Sequence, residues 1–308
     1  MIEPSEIDQL RLHFRISGPL SIERVAHHLV GKVFFLKGHK HEYLAQLYET
    51  IHTNSQIQTD LDLLRNFSNH GFNVPIPLIS VDGNSFDTKS FHKPCALFAQ
   101  KRDNPLPLFP KQLSKVAAQL AEMEKIVVQR HSSILGKKID AIFTMFELLS
   151  QEEKMVEETF ISEYFAFKSS YIELINSTRV SCFGFFPGKD IFFLSKDEQA
   201  GFTHRSFIYD HPRLFGLAQL ILSTCFNDDG SIDYDKLDGA TSGYARESSC
   251  SSNEWDLLDG TLKTAAFFEV LCHWLATVYQ PNLMHIDELI VARMKQKHLK
   301  KLRLRDYC

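Results

Sequence analysis

The chain has 308 residues, 44% of them apolar and 23% charged, with a formal net charge of −4. That balance suits a globular chain with a full core and excludes a globally basic nucleic-acid binder, although not a local basic patch. No apolar run approaches the ~18 residues of a membrane span, the first residues lack a signal-peptide pattern, and six scattered cysteines without a Cys-x-x-Cys pair predict free thiols; a cytoplasmic protein is expected.

In chain order, Ser5 and Asp8 have capping-box spacing, and Ile7, Leu10 and Phe14 recur at helical intervals, which predicts a helix over Glu6–Phe14. Three strands follow, over Ile22–Leu29, Lys32–Lys37 and Tyr43–Tyr48, separated by polar breaks such as Gly38-His39-Lys40-His41. Leu61, Leu64 and Phe67 share the face of a helix predicted over Thr59–His70, with Gly71 placed to end it. Val74-Pro75-Ile76-Pro77 and Asp82-Gly83-Asn84 bracket strands, and Lys93–Gln100 reads as another. Residues 1–102 are thus expected to form a β-rich lobe with one sheet and a helix, and 103–110, around Asp103-Asn104-Pro105-Leu106-Pro107, a linker. From 111 to 308 the pattern is helical: Gln112–Gln129, Ala141–Leu149, Gln151–Ile175, Pro212–Phe226, Tyr234–Arg246 and Asn253–Tyr279. A small hairpin, Ile191–Leu194 with Phe202–His204, interrupts it. The architecture expected is α+β and bilobal, with a larger helical second lobe.

The segment Phe183-Gly184-Phe185-Phe186-Pro187-Gly188-Lys189-Asp190-Ile191-Phe192-Phe193 carries most of the functional information. It resembles the phosphotransfer loop of the aminoglycoside-phosphotransferase and bacterial type II homoserine-kinase family, which reads His-x-Asp, four residues, then Asn before an apolar strand. The resemblance extends over nearly the whole chain. It includes Gly18-Pro19-Leu20, Gly71-Phe72-Asn73-Val74-Pro75-Ile76-Pro77, Phe215-Gly216-Leu217-Ala218, Phe226-Asn227-Asp228-Asp229-Gly230, Gly243-Tyr244 and Ala266-Phe267-Phe268 in the family's order. It implies a protein-kinase-like fold.

Carried over residue by residue, the resemblance also implies lost chemistry. Phe183, Phe185 and Asp190 stand where the loop's His, Asp and Asn are found, and a phenyl ring cannot accept a proton from an attacking hydroxyl. The metal-binding aspartate at the end of the hairpin is His204, a poor ligand for magnesium. Gln46 occupies the strand position of a phosphate-binding lysine, and Asp60 or Asp62 the position of its helix partner. Residual cofactor-binding candidates are therefore Gln46, Asp60 and Asp190. The expectation is a pseudokinase acting as a binding, regulatory or scaffold protein with no cofactor. The alternative is an ATP- and Mg2+-dependent phosphotransferase for homoserine or a related hydroxyl substrate, with a non-standard catalytic set. A basic run, with Lys295, Lys297, Lys300, Lys301, Arg303 and Arg305, is a candidate surface for a protein partner, alongside a small ligand; nucleic acid is not expected.

Overall fold

A computed structural model describes residues 3–28, 31–48, 53–100, 108–128, 137–151, 156–177, 180–181, 184–185, 192–194, 200–202, 206–207, 211–227, 229–279 and 286–300. The chain divides into two units, 1–104 with 201–204, and 105–200 with 205–308. The proposed linker core at 103–107 lies outside the described residues.

The first unit contains α1 (Pro4–His13), β1 (Ser21–His28), β2 (Gly31–Lys37), β3 (Glu42–Tyr48), α2 (Asn54–Asn69) and β4 (Cys95–Gln100). The strands form one antiparallel sheet in the order β1-β2-β3-β4. Successive side chains of a strand point to opposite faces, and here the two faces differ in kind. Ala45 lies between Phe34 and Leu97 in register, and with Leu36, Leu47 and Cys95 these residues close a core against Ile7, Leu10 and Phe14 of α1. The opposite face carries Leu44, Gln46 and Tyr48, all buried.

The helix starts differ from the sequence expectation. α1 is capped by Glu3 and Glu6, not by Ser5 and Asp8, with Pro4 in the first turn. α2 begins five residues before Thr59. Thr53 accepts from the Gln56 amide at 3.2 Å, while the Gln56 side chain accepts from the Thr53 amide at 2.9 Å. Ile57 extends the Leu61–Leu64 stripe one turn back, a signal that the polar residues around it obscure. The strand expected between Pro77 and Asp82 is a loop tied to β4 through one bridge, Pro77 to Phe98, and through the Leu78 amide donating to Leu97 O at 2.7 Å. Prolines at 75 and 77 remove the amides a ladder needs.

In the second unit, α3 (Pro110–Val128), α4 (Lys137–Ser150) and α5 (Glu158–Ser177) precede a group of short strands: β5 (Val180–Ser181), β6 (Gly184–Phe185), β7 (Phe192–Leu194), β8 (Ala200–Phe202, of which 201–202 belong to the first unit), β9 (Ser206–Phe207) and β10 (His211–Pro212). Then come α6 (Phe215–Thr224), α7 (Tyr234–Glu247), α8 (Ser252–Trp255), α9 (Leu258–Tyr279) and α10 (Ile286–Leu299). The single helix expected over Asn253–Tyr279 is two. Ser251 and Glu254 cap a one-turn α8, and Asp256 and Leu257 turn the chain before α9.

α6 is buried from Phe215 through Leu222. Around it, phenylalanines and tyrosines of α4, α5 and α9 stack in edge and tilted pairs, including Phe143–Tyr171, Phe167–Phe267 and Phe215–Phe268. Much of the chain's phenylalanine thus serves this core. α7 crosses α3 at closest approach through Gly239 and Gly243: a Cβ at these positions would lie 2.5 Å from Pro110 O and 2.1 Å from Ser114 O. Only glycine permits that crossing. Cys95, Cys225, Cys250 and Cys272 are free, and burial pushes the Cys225 thiol up to about 12. Among the described residues no helix is long and apolar enough to cross a membrane.

Candidate functional site

Two short antiparallel pairings adjoin the segment resembling a phosphotransfer loop. β5 pairs with β10, placing Val180 opposite Pro212 and Ser181 opposite His211. β6 pairs with β9, placing Gly184 opposite Phe207 and Phe185 opposite Ser206. Within the segment, Gly184 and Phe185 therefore have a fixed register, and residues 186–191 lie outside the described residues. The hairpin expected over Ile191–Leu194 and Phe202–His204 is described only as the short strands β7 and β8, at Phe192–Leu194 and Ala200–Phe202; residues 195–199 and 203–205 lie outside the described residues. Phe183, Asp190 and His204 lie outside the described residues.

In the first unit, Gln46 is buried on β3, opposite Val33 on one side and Ala96 on the other. Tyr48 follows it on the same face. Burial pushes the Tyr48 phenol well above its ordinary value, and the nearby negative charge of Asp60 pushes it further. Asp60 and Gln56, one turn apart on α2, are both buried. Asp62, the other carboxylate the sequence allowed here, stands half exposed beside Arg65 at 3.7 Å and accepts from Gln58 at 2.8 Å. The structure therefore selects Asp60 as the buried carboxylate and adds Tyr48 and Gln56 to its surroundings. Tyr48 was legible as the next residue on the Gln46 face, and Gln56 as i−4 from Asp60.

A second buried polar group had no motif to announce it. Arg213, immediately after β10, is 6% exposed. It donates to Ser249 O at 3.2 Å, to Ser249 Oγ at 2.7 Å and to Glu254 at 3.4 Å. Burial opposes its charge, but Cys250, Tyr244, Glu254 and Glu124 around it hold the guanidinium above its usual pKa. The buried Tyr244 hydroxyl of α7 donates to Glu124 of α3. Burial, and then Glu124, push that phenol well up. For Glu254, burial works against ionisation, yet hydrogen bonds from Ser251 and the charge of Arg213 bring its carboxyl below the ordinary range. This cluster ties α3, α7, the 249–254 turn and the root of β10 together in one network.

The basic run is largely engaged where it is described. Lys295 is buried against Glu269 at 3.0 Å, and Lys300 and Arg293 both reach Glu163, at 2.6 and 2.7 Å. Lys297 is exposed. Lys301, Arg303 and Arg305 lie outside the described residues. No group of three or more potential metal ligands occurs among the described residues.

No protein-family model and no curated protein matches the chain. Solved structures do. Amicoumacin kinase hAmiN, in complex with AMP-PNP, Ca2+ and Ami, aligns over 96% of this chain and 93% of its own, with a TM-score of 0.70 at 12% identity. A microcompartment-associated aminopropanol kinase aligns over 96% of each chain, with a TM-score of 0.67 at 11% identity. Spectinomycin phosphotransferase APH(9)-Ia, in complex with ADP and its antibiotic, aligns over 94% of this chain and 92% of its own, with a TM-score of 0.54 at 11% identity. These neighbours correct the expectation that no cofactor is involved: two of them were solved with a nucleotide in place, one of these with a divalent cation as well. The chain has the fold of the aminoglycoside-phosphotransferase-like small-molecule kinases.

Proposed function

We propose that this protein binds ATP and acts as a phosphotransferase on a small hydroxyl-bearing substrate, an amino acid or amino alcohol of the homoserine type, with a non-standard catalytic set. One observation carries the reading: the fold match to small-molecule kinases covers 96% of the chain, and short paired strands flank the segment that resembles a phosphotransfer loop. Phosphoryl transfer depends mainly on positioning and on neutralising phosphate oxygens, so a shared fold supports nucleotide binding.

The chain's residues fit a divalent cation only in part. Asp190 offers a carboxylate of the kind magnesium prefers, and His204 does not. Bound there, the cation would neutralise phosphate charge; no proton transfer in the proposed chemistry depends on it. Asp190 would hold the substrate hydroxyl or take up its proton, since Phe185 cannot. Gln46 would contribute a neutral amide near the nucleotide where related kinases use an ammonium.

A second reading is favoured by Phe183 and Phe185 themselves: a nucleotide-binding regulator without turnover. Both readings meet in one assay. The protein is incubated with ATP, Mg2+ and a panel of homoserine, aminopropanol and choline, and ADP is measured alongside nucleotide binding. Substrate-dependent ADP release that Asp190→Ala abolishes supports the phosphotransferase. Binding without release supports the regulator. Absence of both contradicts the proposal.

A further inference from the structure

The helical unit holds a cleft of about 560 Å3 between the start of α5, the end of α9 and the exposed side of α10. That volume is within the range of small-molecule sites. It is remote from the phosphotransfer segment: Phe160 lies in the first turn of α5, and the segment follows the last. The intervening helix spans about 25 Å at its usual rise.

Its floor is aromatic and fixed. Phe160 and Trp274 meet at 5.4 Å between ring centroids. The Arg293 guanidinium lies over Phe160 at 4.6 Å, held in place by Glu163 at 2.7 Å and Gln296 at 2.8 Å. Arg293 is thereby neutralised and covers one face of the floor. Above it, α10 presents a stripe at helical spacing: Ile290 at 52% exposure, Met294 at 38%, then Lys297. Apolar side chains this exposed at the mouth of a cleft mark a surface that another apolar body can cover. Lys297 has no ion pair with any described residue, whereas Arg293, Lys295 and Lys300 on the same segment each have one. One carboxylate, Glu157, also lines the cleft. Beside Glu157, a single uncompensated ammonium favours a monoanion over a dianion such as a phosphate ester.

We propose that this cleft binds a small amphipathic monocarboxylate, its apolar body laid on Trp274, Ile290 and Met294 and its carboxylate on the Lys297 ammonium. The site is separate from the nucleotide site and is independent of whether the protein turns over ATP. Trp274 makes it directly observable, since the chain has two tryptophans. A Trp255→Phe background leaves Trp274 as the reporter, and calorimetry on the unaltered chain gives a second readout should that background lose its fold.

The probes are 4-phenylbutyrate, its uncharged amide, and 2-phenylethyl phosphate. The carboxylate is expected to change Trp274 emission saturably, with the amide and the phosphate each about tenfold weaker or more. Lys297→Gln, at an exposed position that the fold tolerates, is expected to remove the preference for carboxylate over amide. The proposal is overturned by equal binding of amide and carboxylate, by tighter binding of the phosphate, by an unchanged preference in Lys297→Gln, or by no saturation below about 10 mM, a ceiling well above the ~1 mM affinity of a weak specific site.

Discussion

The two units are held to their shapes by different means. In the first, register follows from apolar alternation: Phe34, Ala45 and Leu97 align across three strands on the face covered by α1, and a slip of one residue would turn that set away from the core. In the second, the geometry is pinned at a few sharp points, the glycine crossing of α3 with α7 and the buried network around Arg213. The contrast shows where each unit is vulnerable. Register spread over many apolar contacts does not rest on any one residue, whereas a buried ion pair or a backbone contact at 2–3 Å does.

The largest effect is expected at Arg213. Arg213→Met leaves Glu254 and Glu124 without their guanidinium in a buried setting, and breaking such a pair typically costs about 3–5 kcal/mol; urea unfolding measures it. A pH arm sharpens the test. The Glu254 carboxyl is lowered in the folded state, so its stabilising contribution is present above its unfolded pKa and is lost as pH falls through the lower, folded value. On acidification through that acid range, the wild-type chain should therefore lose more stability than Glu254→Gln.

Next comes the helix crossing. Gly243→Ala inserts a methyl 2.1 Å from Ser114 O, and α7 must move away from α3. A cost of about 1–3 kcal/mol follows. Gly260→Ala is the control, because nothing lies within 4 Å of its Cβ and the residue is helical. There the substitution should stabilise by about 0.5–1 kcal/mol. Opposite signs at these two glycines in thermal unfolding isolate the close approach as the cause.

The smallest stability effect is expected in the sheet. Gln46→Leu replaces a buried amide by an apolar side chain of similar size, a change close to neutral for folding. Its consequence should appear in nucleotide affinity. If stability falls by several kcal/mol and nucleotide affinity is unchanged, Gln46 is a packing residue and the distinction between the units is weaker than argued.

Much of this was legible in the chain itself. The first three sheet strands declare themselves as apolar pieces between polar turns, and the second hairpin by two apolar runs around a charged turn. The order of β-rich and helical parts sets the fold class. What escaped was either local or long-range in origin. The start of α2 depends on a reciprocal Thr53–Gln56 cap, which outweighs the later apolar stripe. The choice between Asp60 and Asp62 is a rotation of about 200° on a helix, invisible until the helix has a neighbour. The network of Glu124, Arg213, Tyr244 and Glu254 joins residues up to 130 positions apart with no common motif. At the site, Phe183, Asp190 and His204 lie outside the described residues. The side chains at 183, 185, 190 and 204 point to an absent cofactor, an expectation that neighbours solved with a nucleotide overturn.

The measurement that bears most directly on the account is the thermal stability of the full chain with and without ATP and Mg2+. A ligand that binds only the folded state stabilises it by about 2.7 kcal/mol at a hundredfold excess over Kd, a shift of several degrees in Tm for a protein somewhat larger than 250 residues. The account predicts such a shift with ATP and Mg2+ and a smaller one in Gln46→Leu. An unchanged Tm at millimolar ATP and Mg2+, in a chain that unfolds cooperatively, would contradict nucleotide binding and with it the proposed function.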